Sequence, residues 1–249
     1  MPLTSLRSRQ LLPGLVLLTA IIAMGLHGPI AQLAHYHHFA DQRAWLGIPH
    51  AADVLSNIGF ALVGLWGLFS TAGAAWTGKP GRPGYRLFFA SLVLTALGSG
   101  WYHLAPDNAR LVWDRLPIAL ACAGLLSAIA REHLGAGRWL TPVLALPAAG
   151  SVAWWRFTDL LGAGDLRPYL LLQLMPLVLI PIVQWQAGVH RAQRRAFLLA
   201  MVGYVMAKAC ELADHTILDQ LLIVSGHTLK HLLATLAAAL VLQGAVAKP

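Results

Sequence analysis

Apolar stretches long enough to cross a bilayer recur along this chain, and short polar turns break them at nearly regular intervals. Read against the 18 to 20 residues that a spanning helix needs, the pattern predicts eight helices, at roughly 11–33, 51–73, 86–104, 112–130, 139–155, 168–187, 197–213 and 225–247. The first contains LLPGLVLLTAIIAMGL behind Arg7 and Arg9, as a secretory signal would. No convincing small-residue cleavage site comes before the polar HYHHFADQR, so this helix is expected to be retained. The longest connections, about 34–50 and 74–85, are too short for a soluble domain, and no sequence repeat is evident.

Composition agrees: 57% of the 249 residues are hydrophobic and 11% charged, about half the charged fraction of a soluble protein. The fold class expected is all-α, a polytopic transmembrane helical bundle. Charge placement orients it. Arg7, Arg9, Lys79, Arg82, Arg131, Arg138, Arg191, Arg194, Arg195 and Lys248 fall at the termini and in even-numbered loops, whereas odd-numbered loops hold Arg43, Arg110, Arg156 and Arg167. The positive-inside rule then places both termini in the cytoplasm. The net charge of +8 follows largely from that bias and fits a face touching anionic lipid. No long soluble segment interleaves basic and aromatic residues, so no nucleic-acid partner is expected. Cys122 and Cys210 lie inside apolar helices and read as small packing residues. Trp45, Trp101, Trp113, Trp154 and Trp155 fall near outer helix ends, where indole rings anchor a bundle. Gly59, Gly64 and Gly67 allow close helix packing.

Polar residues inside such helices are expensive and therefore informative. Ser99 and His103, four apart in LGSGWYH, share one helix face. The turn APDN leads on to Asp114, and the last helix opens with SGHTLKH, whose His227 and His231 are again four apart. With eight helices and an inside N-terminus, these pieces all fall at the outer surface. Three neutral imidazoles bind zinc and leave a fourth position open to water. A satisfied interhelical hydrogen-bond network explains the same residues without a metal, and the pair lacks the glutamate of HExxH. Asp53, Ser56 and Asn57 read as a helix cap and interhelical contacts, or as part of the site. Glu211 and Asp214 are placed to accept hydrogen bonds from ligand imidazoles, and Lys208 to pair with Glu211. His35, His37 and His38 fit a wet interfacial loop or a path by which metal reaches the site.

The segments DVLSNIGF at 53–60, GSGWYH at 98–103, WDRLP at 113–117 and SGHTLKH at 225–231 give the chain a resemblance to the alkaline ceramidases, in the wider group of ceramidases, progestin/adiponectin receptors and hemolysin III-like proteins. It extends over about residues 39–247. It implies a seven-helix core over 39–249, preceded over 1–38 by an extra transmembrane helix and the start of the first outer loop. It also implies zinc held by His103, His227 and His231, with Ser99 and an Asp eleven residues after His103, which is Asp114, completing the site. The implied activity belongs to sphingolipid metabolism: hydrolysis of a ceramide amide to a sphingoid base and a fatty acid. Eukaryotic ceramidases carry an acidic, calcium-binding segment before the core; here the segment is HYHHFADQRAWLG, and Asp41 alone does not make a calcium site.

The expectation is therefore a zinc-dependent hydrolase of lipid amide bonds, acting on ceramide or a related N-acyl lipid, in a bacterial inner (plasma) membrane with its site near the outer face. Zinc would acidify a bound water. Asp114 would act as base and then acid, and Ser99 would donate to the oxyanion or hold the water. Direct metal ligation by Asp114 competes with that role. The other class of function is a non-catalytic membrane sensor or transporter using the same cluster for metal or protons.

Overall fold

A computed structural model describes residues 3–246, with side chains from Gln10 onward; Lys248 lies outside the described residues. All the named elements are helices: α1 (Leu3–His27), α2 (Ala51–Leu55), α3 (Ile58–Ala72), α4 (Arg82–Leu104), α5 (Asn108–His133), α6 (Leu140–Leu160), α7 (Arg167–Gln186), α8 (Arg191–Leu212), α9 (Asp214–Leu221) and α10 (Gly226–Val246), with a single 3-10 turn at Ala74–Trp76. The chain is an all-α helical bundle. Six spans are long and apolar enough to cross a membrane, within α1, α2 with α3, α4, α5, α7 and α10. Counting α8 and α9 as one bent span makes seven, which fits a multi-pass integral membrane protein. The fifth expected span, α6, has the length but carries Arg156 and Asp159 in its last two turns and is not among them.

Each of the eight expected helices has a counterpart, and the differences have local causes. The first ends at His27 rather than residue 33, because Gly28 takes a left-handed φ of 82° and Pro29 follows. The second is interrupted after Leu55 by Ser56 and Asn57, so the predicted 51–73 becomes α2 and α3. The seventh begins six residues early, where the His190 side chain accepts from the Ala192 N–H, and is followed past Ala213 by α9 at an 81° bend.

The helices form two compact units. The first comprises the described residues through Gln32, Gly67–Ser91 and Ile118–Val189; the second comprises Leu33–Trp66, Leu92–Pro117 and the residues from His190 onward. In the first, α7 packs against α1 and α6. The portions of α4 and α5 there meet backbone to backbone: a Cβ on Gly84 would stand 2.4 Å from the Ala128 nitrogen. Arg82 caps the end of α3 through the Thr71 carbonyl at 2.9 Å. In the second unit α8 and α10 pack along much of their length. Gly244 seats the Phe197 ring, and Gly59 abuts Thr235.

Each arginine of the odd-numbered loops is ion-paired to a nearby aspartate: Arg43 to Asp41 at 2.6 Å, Arg110 to Asp107 at 2.7 Å, Arg156 to Asp159 at 2.6 Å and Arg167 to Asp165 at 2.9 Å. In the opposite loop set, Arg82 and Arg131 bond instead to carbonyls, Arg131 to those of Pro80 and Arg138. Of the five tryptophans expected at helix ends, Trp45, Trp101, Trp113 and Trp154 are exposed. Trp155 is not an interfacial anchor: its ring is wholly buried in the first unit. Both cysteines are free thiols.

Candidate metal centre

All the candidate site residues lie in the second unit. The close approach that assembles the α4–α5 side is made at Gly98, where a Cβ would stand 2.0 Å from the Trp113 carbonyl oxygen. Only glycine allows that contact. The next residue on each helix is a site residue, and the Ser99 hydroxyl hydrogen-bonds the Asp114 carboxylate. One turn beyond Ser99, His103 closes α4.

The α10 side is assembled the same way. A Cβ on Gly226 would stand 2.1 Å from the Cys210 carbonyl oxygen, so α10 starts directly against the end of α8. Ser225 caps the helix by accepting from the Thr228 N–H at 3.0 Å. Asp214 accepts the His227 N–H at 2.7 Å on one oxygen and the Ala40 N–H at 2.9 Å on the other, tying the ligand helix to the irregular 35–50 segment.

These two constructions bring three imidazoles together. His103, His227 and His231 are all buried, and one ring nitrogen from each falls within 4.8 Å of the others. The Nε2 atoms of His103 and His227 are 3.2 Å apart. His231 turns its Nδ1 to the Ser56 hydroxyl at 2.8 Å. His103 Nδ1 has no hydrogen-bond partner among the described residues. A purely hydrogen-bonded cluster would satisfy its ring nitrogens; here two Nε2 atoms face each other and one buried Nδ1 is left over. Three buried imidazoles with no carboxylate among them could hold a metal ion.

The supporting residues fall differently from expectation. Asp53, Ser56 and Asn57 do not cap the start of α2: the residue before it is His50, in the left-handed region at φ 47°, and it makes no side-chain cap. Asp53 instead accepts the Thr228 hydroxyl at 2.6 Å, while Asn57 donates to the Asp53 carbonyl at 2.7 Å across the α2–α3 break. Ser56 is the partner of the His231 imidazole, the role expected of Glu211 and Asp214. Glu211 is clasped by Lys208 and Lys230, and Asp214 binds the backbone N–H groups of Ala40 and His227.

Sequence reasoning also passed over two residues. Phe39 covers the cluster edge-on, its centroid 4.6 Å from that of His103 and 4.4 Å from that of His227. It forms part of the lining of a cavity of about 640 Å³ with His37, His38, Gln42, His50 and His215. His37 is held between the Tyr102 hydroxyl and Asn108. The second residue is Lys230, whose Nζ donates to His227 Nε2 at 2.8 Å. A lysine within SGHTLKH, in an otherwise apolar helix, was the available signal. Beside the cluster, both oxygens of Asp41 are taken by Arg43, whose guanidinium also reaches the carbonyls of Leu222 and Ile223. The hydrogen bond from Arg43 holds the Asp41 carboxyl below its ordinary range. Set against models of protein families, curated proteins and solved structures, the chain matches none.

Proposed function

We propose that this chain is a zinc-dependent membrane amidohydrolase that cleaves a lipid amide, in ceramide or a related N-acyl lipid, to an amine and a fatty acid, as its resemblance to the alkaline ceramidases implies. The observation that carries the reading is the buried convergence of His103, His227 and His231 from two helices, with Asp114 held nearby by Ser99. Zinc on those three nitrogens would polarise the acyl carbonyl and acidify a water toward neutrality. Asp114 accepts the proton of the attacking water and passes it to the leaving amine nitrogen. Ser99, by donating to Asp114, keeps one carboxylate oxygen free and aimed. Ser56 fixes the His231 ring, and Asp214 fixes the first turn of α10 beneath His227. Phe39 keeps bulk water off the imidazoles from one side.

The same reading places the protein in a bacterial inner membrane with both termini cytoplasmic and the site toward the outer face, following the basic-residue asymmetry. A sensor or transporter is favoured by one feature, the continuous hydrogen-bond path from Lys208 through Glu211 and Lys230 to His227. The deciding experiment is metal analysis of the purified full chain, then mass spectrometry of products from a panel of N-acyl lipids. About one zinc per chain with release of amine and fatty acid is expected. Zinc bound without turnover of any N-acyl lipid would overturn the hydrolase and favour the sensor or transporter. Labelling of the 188–196 loop from the outer side would overturn the orientation.

A further inference from the structure

We propose that Lys230 is the anion-binding group of this site, its ammonium taking the negative charge carried by the acyl oxygens of a bound lipid. The proposal deepens the hydrolase reading, on which the naming of the acyl oxygens rests. Lys230 stands between the two ligands of α10, three residues after His227 and one before His231. Its Nζ lies 2.8 Å from Nε2 of His227, the nitrogen that also faces His103, so the charge sits at the point where the ligand atoms converge. Its other contact is with Glu211 Oε1 at 3.1 Å.

A lysine that served only to neutralise Glu211 would be redundant, because Lys208 already pairs with that carboxylate through Oε2. Glu211 is thus shared by two ammoniums, and of the two it is Lys230 that also feels the buried Asp114 carboxylate. Lys208 is 44% exposed, whereas Lys230 is 18% exposed and meets the imidazole cluster. Once His227 Nε2 is engaged by a metal, the donor that Lys230 now spends on it is free for an anion at the same place. Ser99, the sequence candidate for that task, hydrogen-bonds Asp114. A preset cation at a site of developing acyl oxyanion charge needs no reorganisation when the charge forms.

The test uses the zinc-loaded full chain in detergent and two probes, dodecylphosphonate as a tetrahedral anion and dodecanamide as its neutral counterpart, titrated by calorimetry. The parent is expected to bind the phosphonate, and Lys230→Met to weaken it about 100-fold, the scale of one lost oxyanion donor, while dodecanamide affinity stays within about threefold. Lys230→Arg is expected to recover most of the loss. Lys208→Met, on the far side of the same carboxylate, is expected to change phosphonate affinity less than about threefold. Unchanged phosphonate binding in Lys230→Met, an equal loss in Lys208→Met, no recovery in Lys230→Arg, or a parent that binds no phosphonate would each overturn the proposal. None of these readouts uses turnover. A parent that binds zinc and phosphonate but hydrolyses no lipid amide would refute the hydrolase and leave the anion site standing.

Discussion

The two units bury polarity in opposite ways. In the first, most buried polar side chains are hydroxyls and amides bonded close to home: Thr71 to the Gly67 carbonyl, Ser151 to that of Ala148, Thr158 to that of Trp154, Gln173 to the Tyr169 hydroxyl. Its buried acid, Asp165, is neutralised by Arg167 two residues away. Such bonds satisfy a side chain within its own helix at little cost. The second unit buries more ionisable side chains, Asp41, Asp53, His103, Asp114, Arg115, Asp214, His227 and His231 among them, and several of its bonds join residues 124 to 175 positions apart. Bringing charges from distant segments into an apolar interior is costly unless the assembled group performs a task. The contrast makes the second unit the place to test for function and the first the place to test for packing.

Side-chain removal tests the contrast most severely. His103→Ala, His227→Ala and His231→Ala are each expected to lose the bound zinc and at least about 1000-fold in lipid-amide hydrolysis. Asp114→Asn keeps the zinc and loses about 100- to 10,000-fold, the range for a general acid–base group. Ser99→Ala falls less, since it only steers Asp114. Ser127→Ala, which breaks a 2.6 Å bond to Thr141 in the first unit, is expected to leave zinc content and kcat within about threefold. Metal analysis and rates at equal metal loading, over a pH series, separate a lost ligand from a lost base. An Asp114→Asn variant as fast as the parent would remove Asp114 from the mechanism, and retained zinc in the histidine variants would remove the ligand set.

How far this contrast is legible in the sequence follows from what spacing encodes. Ser99 with His103, and His227 with His231, are i, i+4 pairs, so each pair shares a helix face whatever the fold around it. Spanning length and apolarity locate the helices in the same local way. Spacing carries no information about how one helix is rotated against another, and that is where the expectations fail. Ser56 meets His231 because α2 and α3 are separated by a break that the apolar run DVLSNIGFALVG does not announce. Glu211 meets Lys230, and Asp214 the backbone N–H groups of Ala40 and His227, contacts between segments that no local spacing announces. Trp155 turns inward while its neighbour Trp154 stays exposed, which their adjacency in sequence cannot decide. Phe39 comes from an irregular segment with no period to read.

Glycine substitutions sharpen the comparison at the level of packing. Gly98→Ala drives a Cβ into the Trp113 carbonyl and Gly226→Ala into that of Cys210, both backbone atoms that cannot swing away. Each is expected to cost about 1–3 kcal/mol of stability and to weaken zinc binding at least tenfold, since these contacts set the ligand helices. Gly84→Ala meets backbone at 2.4 Å in the first unit and is expected to lower stability comparably with zinc affinity unchanged. Gly150→Ala has nothing within 4 Å of its new Cβ and serves as the neutral control. Thermal unfolding and zinc titration on the four variants would check this; tight zinc binding in Gly226→Ala would show that the ligand geometry tolerates movement of α10.

The smallest effect is expected from acid, and it separates the units by order of loss. Zinc leaves the second unit first, because protonated imidazole cannot ligate. The first unit keeps its clamp to lower pH. Burial pushes the Asp165 carboxyl up, but hydrogen bonds from Arg167, Trp154 and the Ile30 N–H together outweigh it and hold the group well below the ordinary carboxylate range. A depressed folded-state pKa contributes stability that is fully present above the unfolded value, about 3.9, and is lost as pH falls through the folded one. The parent should therefore lose thermal stability below about pH 4 in part through Asp165, and Asp165→Asn should flatten that limb while lying lower at neutral pH. Zinc release followed across the same titration should be identical in the two proteins. A shift in zinc release on Asp165→Asn would mean that the clamp of the first unit bears on the metal centre of the second, and the division between packing and function would have to be redrawn.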